Sequence, residues 1–166
     1  MFNFFKKGVS AEIYGQQLWQ FCCDCAEKFC LNYRPKLQAE GFLRNPTEDR
    51  IFMDEAMRLH LWVISRALGA NDRNILDALH NHAHGQSFVN SISIVQLYAI
   101  YDKAASEEME LFDKELAQPL LAITVLQYLV GNKAHSEIVI AMEIHIDIQI
   151  LIGVVRQTRS EFRITS

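Results

Sequence analysis

Near the C-terminus Ile144, Ile146, Ile148, Ile150 and Ile152 alternate with His145, Asp147 and Gln149, the two-residue period of a half-buried strand. The apolar run nevertheless continues over 138–155, with no Pro and no Gly before Gly153. That is about three times the usual length of a strand. Read at 3.6 residues per turn, Ile138, Ala141, Met142, His145, Ile148, Gln149, Ile152 and Val155 share one broad face. Ile140, Ile144, Ile146, Ile150 and Leu151 spread over much of the rest. A helix apolar on nearly every side must be buried on nearly every side. The pattern therefore predicts a buried, Ile-rich C-terminal helix extending to about Glu161, packed inside a bundle of others.

Upstream, helix starts and stops are marked by capping residues. Ser10 can cap a helix over 10–33 that ends ahead of Arg34-Pro35, with Leu18, Cys22, Cys25, Ala26, Phe29 and Tyr33 on its apolar face. Asn45, Pro46 and Glu48 form the clearest start in the chain: a cap, a proline at the first helical position and the acid of a capping box. Gly69 is a natural left-handed stop for that helix. Asn71 or Asp72 can cap a shorter third helix closed by Gly85, followed by a polar turn at 86–91. A helix over 92–105 comes next. Ser106-Glu107-Glu108 then reads as a new start, because acidic side chains favour the positive end of a helix. Pro119 opens a further helix to Val130 with Gly131 as its stop, and Asn132 or Ser136 begins the isoleucine-rich one.

The expectation is an all-α bundle of six or seven helices, with residues 1–166 as one helical domain. The alternative is an α+β fold, with a small sheet built from 92–101, 120–130 and 138–152, all of which have strand propensity.

Composition narrows the function classes. Half of the 166 residues are hydrophobic and 22% are charged, a balance unlike that of disordered chains. The formal charge is −4 and no basic block stands out, so nucleic acid is not an expected partner. Residues 119–130 are too few to span a bilayer, and 138–155 carry Glu143, His145 and Asp147, each costly at its centre. No membrane span is expected. The opening Phe2, Phe4 and Phe5 are expected to pack on the bundle. All four cysteines, Cys22, Cys23, Cys25 and Cys30, fall in one short stretch, which suits reduced thiols and a cytoplasmic setting better than a disulfide framework. Cys22 and Cys25 have C-x-x-C spacing but sit mid-helix among aromatic residues, where packing is the expected role.

Two places could carry chemistry. Asp77, His80 and His84 stand at i, i+3 and i+7 on one helix face, side chains that bind zinc or iron. The competing reading is a solvated helix end whose histidines favour the negative dipole. Glu143, His145 and Asp147 lie within the isoleucine run, where unpaired buried charge is expensive. Their stripe either reaches solvent, draws a Lys or Arg from a neighbouring helix, or lines a functional pocket. The acidic stretch from Asp102 to Glu115 reads as a solvated face.

No His-Glu-x-x-His, paired Glu-x-x-His or glycine-rich phosphate loop is present. The sequence thus favours a soluble interaction or accessory protein that meets another protein through a helical surface. The alternative is a metal-dependent enzyme or sensor at Asp77, His80 and His84, with zinc or iron as cofactor. Oligomeric state is not legible.

Overall fold

The computed structural model describes residues 8–69, 72–84, 94–112, 120–130, 138–162 and 164–165. Among these residues there are six helices: α1 (Ala11–Ala39), α2 (Pro46–Leu68), α3 (Arg73–His84), α4 (Ile94–Phe112), α5 (Leu120–Val130) and α6 (Ile138–Ser160). Two-residue strands β1 (Val9–Ser10) and β2 (Ile164–Thr165) pair in parallel and bring the two ends of the described chain together. The fold is all-α. The described parts of the three segments that could have formed a sheet, 92–101, 120–130 and 138–152, are helical, which overturns the α+β alternative. Ile92 and Ser93 lie outside the described residues, as do Asn71, Gly85, the turn at 86–91, Pro119, Gly131, Asn132, Ser136 and the opening phenylalanines.

Local chemistry explains most boundaries. Asn45 Oδ1 accepts from the N–H groups of Thr47 and Glu48, both at 3.0 Å, and the Glu48 carboxylate reaches back to the Arg44 N–H at 2.7 Å. Gly69, with φ at 80°, ends α2 in the left-handed region that a side chain disfavours. Gly15 serves a different need. A Cβ there would lie 2.5 Å from that of Ala78, so only glycine lets α1 and α3 approach this closely.

Three expectations fail, each for a physical reason. The first helix does not stop at Tyr33 but runs through Pro35 to Ala39. Proline deletes one hydrogen bond, to the carbonyl of Leu31, and both residues face water, which can solvate the freed group. Beyond it Leu37 is fully buried, and Arg34 and Lys36 pair with Asp49 and Glu143. These contacts offset the break. Ser106 starts no helix. Its hydroxyl bonds back to the Asp102 carbonyl at 2.9 Å, and α4 continues through it. Asp72, one of the two cap candidates, precedes α3, and its carboxylate accepts from Arg159 at 2.7 and 2.9 Å, tying α3 to the end of α6.

The third correction concerns burial. The stretch enclosed on all sides lies in α2, not α6: every residue from 58 to 64 is buried, while Ile51 and Met53 near the start of α2 stay about half exposed. It packs against α1, α5 and α6, while α4 packs on α5. One core gathers Tyr33, Leu37, Phe52, Leu59, Tyr101 and Ile144; a second, adjoining one gathers Tyr14, Leu18, Ile64, Leu79, Val155 and Phe162. Helix α6 contributes Ile140, Ala141, Ile144, Ile148 and Val155 to these cores. Its opposite face, which carries an apolar stripe of its own, stays outside. No helix among the described residues is long and apolar enough to cross a membrane.

Candidate functional site

Helices α1, α2 and α6 frame a cleft of about 480 Å³. Its wall is apolar: Phe21 and Phe29 from α1, Leu59 and Val63 from α2, Ile148, Leu151 and Val154 from α6. Four polar groups interrupt that wall or its rim. Lys28 and Asn32 are exposed on α1, Asp147 is exposed on α6, and His60 is buried on α2.

His60 is held firmly. Its Nδ1 lies 2.7 Å from the carbonyl oxygen of Ala56, one turn earlier. A carbonyl can only accept, so Nδ1 carries the proton and Nε2 presents a bare lone pair. The ring stands edge-on to Phe29, with centroids 5.2 Å apart. Burial disfavours the imidazolium and lowers the pKa from an ordinary 6.5 to about 4. His60 is therefore neutral at physiological pH.

Across the cleft, Asp147 Oδ2 accepts from the Tyr33 hydroxyl at 2.8 Å. Burial and this carboxylate together push the phenol well above its usual range. Glu143, one turn earlier, pairs with Lys36. His145 Nδ1 stands 3.0 Å from Glu108 Oε1 on the other flank. The polar stripe of α6 is thus divided between partners on α1 and α4. Glu108 also accepts from the Leu121 N–H at 2.8 Å, at the start of α5. Asp102 accepts from the Trp62 indole at 3.2 Å. Glu108 is thus a joint between helices, whereas Asp102, Lys103 and Glu107 keep to a solvated face.

Beside the cleft runs a ridge. Val139, Met142, Ile146, Ile150 and Val154 keep 70, 53, 55, 58 and 42% of their surface exposed. At helical spacing they form one continuous stripe along α6, with Gly153 open beside it. Exposed apolar stripes of this kind, rimmed by polar side chains, mark interaction surfaces. Here the rim is Glu143 and Asp147 on one side and Gln149 and Arg156 on the other.

The sequence-derived candidates lie elsewhere. Asp77 and His84 are exposed on α3. His80 is half-buried, with Nδ1 2.8 Å from the Leu76 carbonyl and Nε2 3.1 Å from the Tyr98 hydroxyl. Both ring nitrogens therefore have protein partners. Among the described residues no group of three or more His, Cys, Asp or Glu side chains is placed to hold a metal ion. All four cysteines are free thiols. Cys22 and Cys30 are buried, whereas Cys25 is half-buried on the cleft wall. Burial pushes the Cys25 and Cys30 thiols up to about 11 and raises Cys22 and Cys23 as well, so none is an activated nucleophile at neutral pH. His60 went unnoticed in the sequence. Its one signal was a lone histidine inside the apolar run from Leu59 to Ile64.

No family model matches this chain, and no curated protein or solved structure is significantly similar to it.

Proposed function

We propose that this chain is a helical interaction protein that engages a partner protein through the outer face of α6. The observation that carries the reading is the ridge of Val139, Met142, Ile146, Ile150 and Val154. Burying one such side chain fully gains roughly 1.5–3 kcal/mol, so leaving a whole stripe in water is a sizeable stability forgone. A partner that covers the stripe recovers that free energy, and the charged rim gives the encounter its orientation. The same proposal places the protein in the cytoplasm, supported by four free thiols crowded on one helix.

Capture of partners from native cell extract tests it. The purified chain is compared with a Met142→Glu, Ile146→Glu variant whose urea midpoint has been checked. The expected result is a protein retained by the wild type and lost with the variant at unchanged stability. Identical retention by both, or none by either, would remove the ridge from the account.

A further inference from the structure

We propose that the cleft between α1, α2 and α6 binds a small, uncharged, apolar molecule that donates one N–H or O–H hydrogen bond to His60 Nε2. This goes beyond the ridge reading: Ile150 and Val154 belong to both surfaces, but Met142 and Ile146 do not line the cleft, so the two can be tested apart.

Size comes first. The volume of about 480 Å³ lies within the roughly 300–1,000 Å³ of small-molecule sites. Such sites are apolar with a few placed polar groups, and this wall fits that description. The second observation is His60 itself, which is only 6% exposed. Its Nδ1–H is committed to Ala56, and no described residue hydrogen-bonds to Nε2. Nε2 is not among the fully buried atoms without a partner, so solvent reaches it where His60 lines the cleft, and a ligand donor would exchange a hydrogen bond to water for its own. A bare lone pair selects a donor and rejects a second acceptor.

Charge selection follows from the remaining groups. The imidazole stays neutral, so it offers an anion no attraction. At the rim, Lys28 and Asp147 carry opposite charges, and one Asp147 oxygen is already taken by Tyr33. A neutral molecule satisfies this arrangement best. The half-buried Cys25 gives the wall a substitution point from which the space can be filled.

Equilibrium dialysis of the purified full chain against indole, and against its hydrocarbon isostere indene, tests the proposal. Both should bind saturably, with indole roughly three- to tenfold tighter, the size of one net hydrogen bond. Cys25→Trp, which fills the cleft from α1, should remove both. His60→Phe should keep indene and bring indole down to the same affinity. If that variant fails to fold, nuclear magnetic resonance of isotope-labelled histidine in the wild type replaces it: indole should shift the His60 Nε2 signal and indene should not. Met142→Glu, Ile146→Glu should bind indole as the wild type does, which separates this site from the ridge. Absence of saturable indole binding, equal affinity for the two probes, or binding that survives Cys25→Trp would overturn the proposal.

Discussion

Helices α2 and α6 are each 23 residues long and pack against each other, yet they treat their side chains in opposite ways. Helix α2 buries Glu55, Arg58 and His60 among its apolar residues. Helix α6, far richer in isoleucine, leaves five large apolar side chains in water. Position in the bundle decides burial, and hydrophobicity alone does not. The polar groups of α2 find some of their partners inside: Arg58 pairs with Glu55, whose other carboxylate oxygen has no hydrogen-bond partner among the described residues, and His60 donates to Ala56. The outer face of α6 is covered by no helix among the described residues. A buried polar residue and an exposed apolar stripe are thus two departures from the usual pattern, and they flank the same cleft.

The comparison breaks most directly along α6. Ile144→Ala, on the fully buried face, should cost about 2–5 kcal/mol of stability. Ile146→Ala, half a turn away, should stay within about 0.5 kcal/mol. Urea denaturation of both variants measures this, and equal losses would erase the distinction between faces.

Acid sharpens the α2 side. His60 has an ordinary pKa of 6.5 when unfolded and about 4 in the fold. As pH falls, the unfolded chain takes up the proton first, so stability declines between about pH 6.5 and 4 and this contribution levels off below. The span amounts to on the order of 3 kcal/mol. His60→Phe should lose this part of the acid sensitivity. An unchanged pH slope would mean that the enclosure of α2 does not hold the imidazole neutral.

The tie between α6 and α1 is weaker. Tyr33→Phe removes the hydrogen bond to the exposed Asp147 and should cost about 1 kcal/mol, read from the thermal midpoint. A loss as large as that of Ile144→Ala would make this bond, rather than apolar packing, the main anchor of α6.

The smallest expected effect is at α3. Zinc binding at Asp77, His80 and His84 would stabilise the fold by roughly 2.7 kcal/mol at a hundredfold excess over its dissociation constant. With His80 engaged by Leu76 and Tyr98, the expected shift in melting temperature is nil. A zinc-dependent rise abolished by His84→Ala would instead support a metal site there.

Signals confined to a few neighbouring residues were legible in the sequence. Asn45 with Pro46 marked the start of α2, Gly69 its stop, and the length of the isoleucine run marked a helix rather than a strand. Pro35 misled because the cost of proline was weighed without the contacts of Leu37, Arg34 and Lys36, which come from distant parts of the chain. Ser106 misled because a serine can back-bond within a helix as readily as it can cap one. The cleft was out of reach. Tyr33 and Asp147 lie 114 residues apart, and Lys36 and Glu143 lie 107 apart, so only packing brings them together. The exposure of one α6 face was hidden for a related reason: periodicity shows that a helix is apolar all round, but not which neighbours exist to cover it.

Carbene footprinting of the purified chain at low concentration tests the central claim, that α6 has one structural face and one open face. Modification should concentrate on Met142, Ile146 and Ile150 and leave Ile140, Ile144 and Ile148 unlabelled. Equal protection of both sets, or labelling spread evenly over them, would contradict the account.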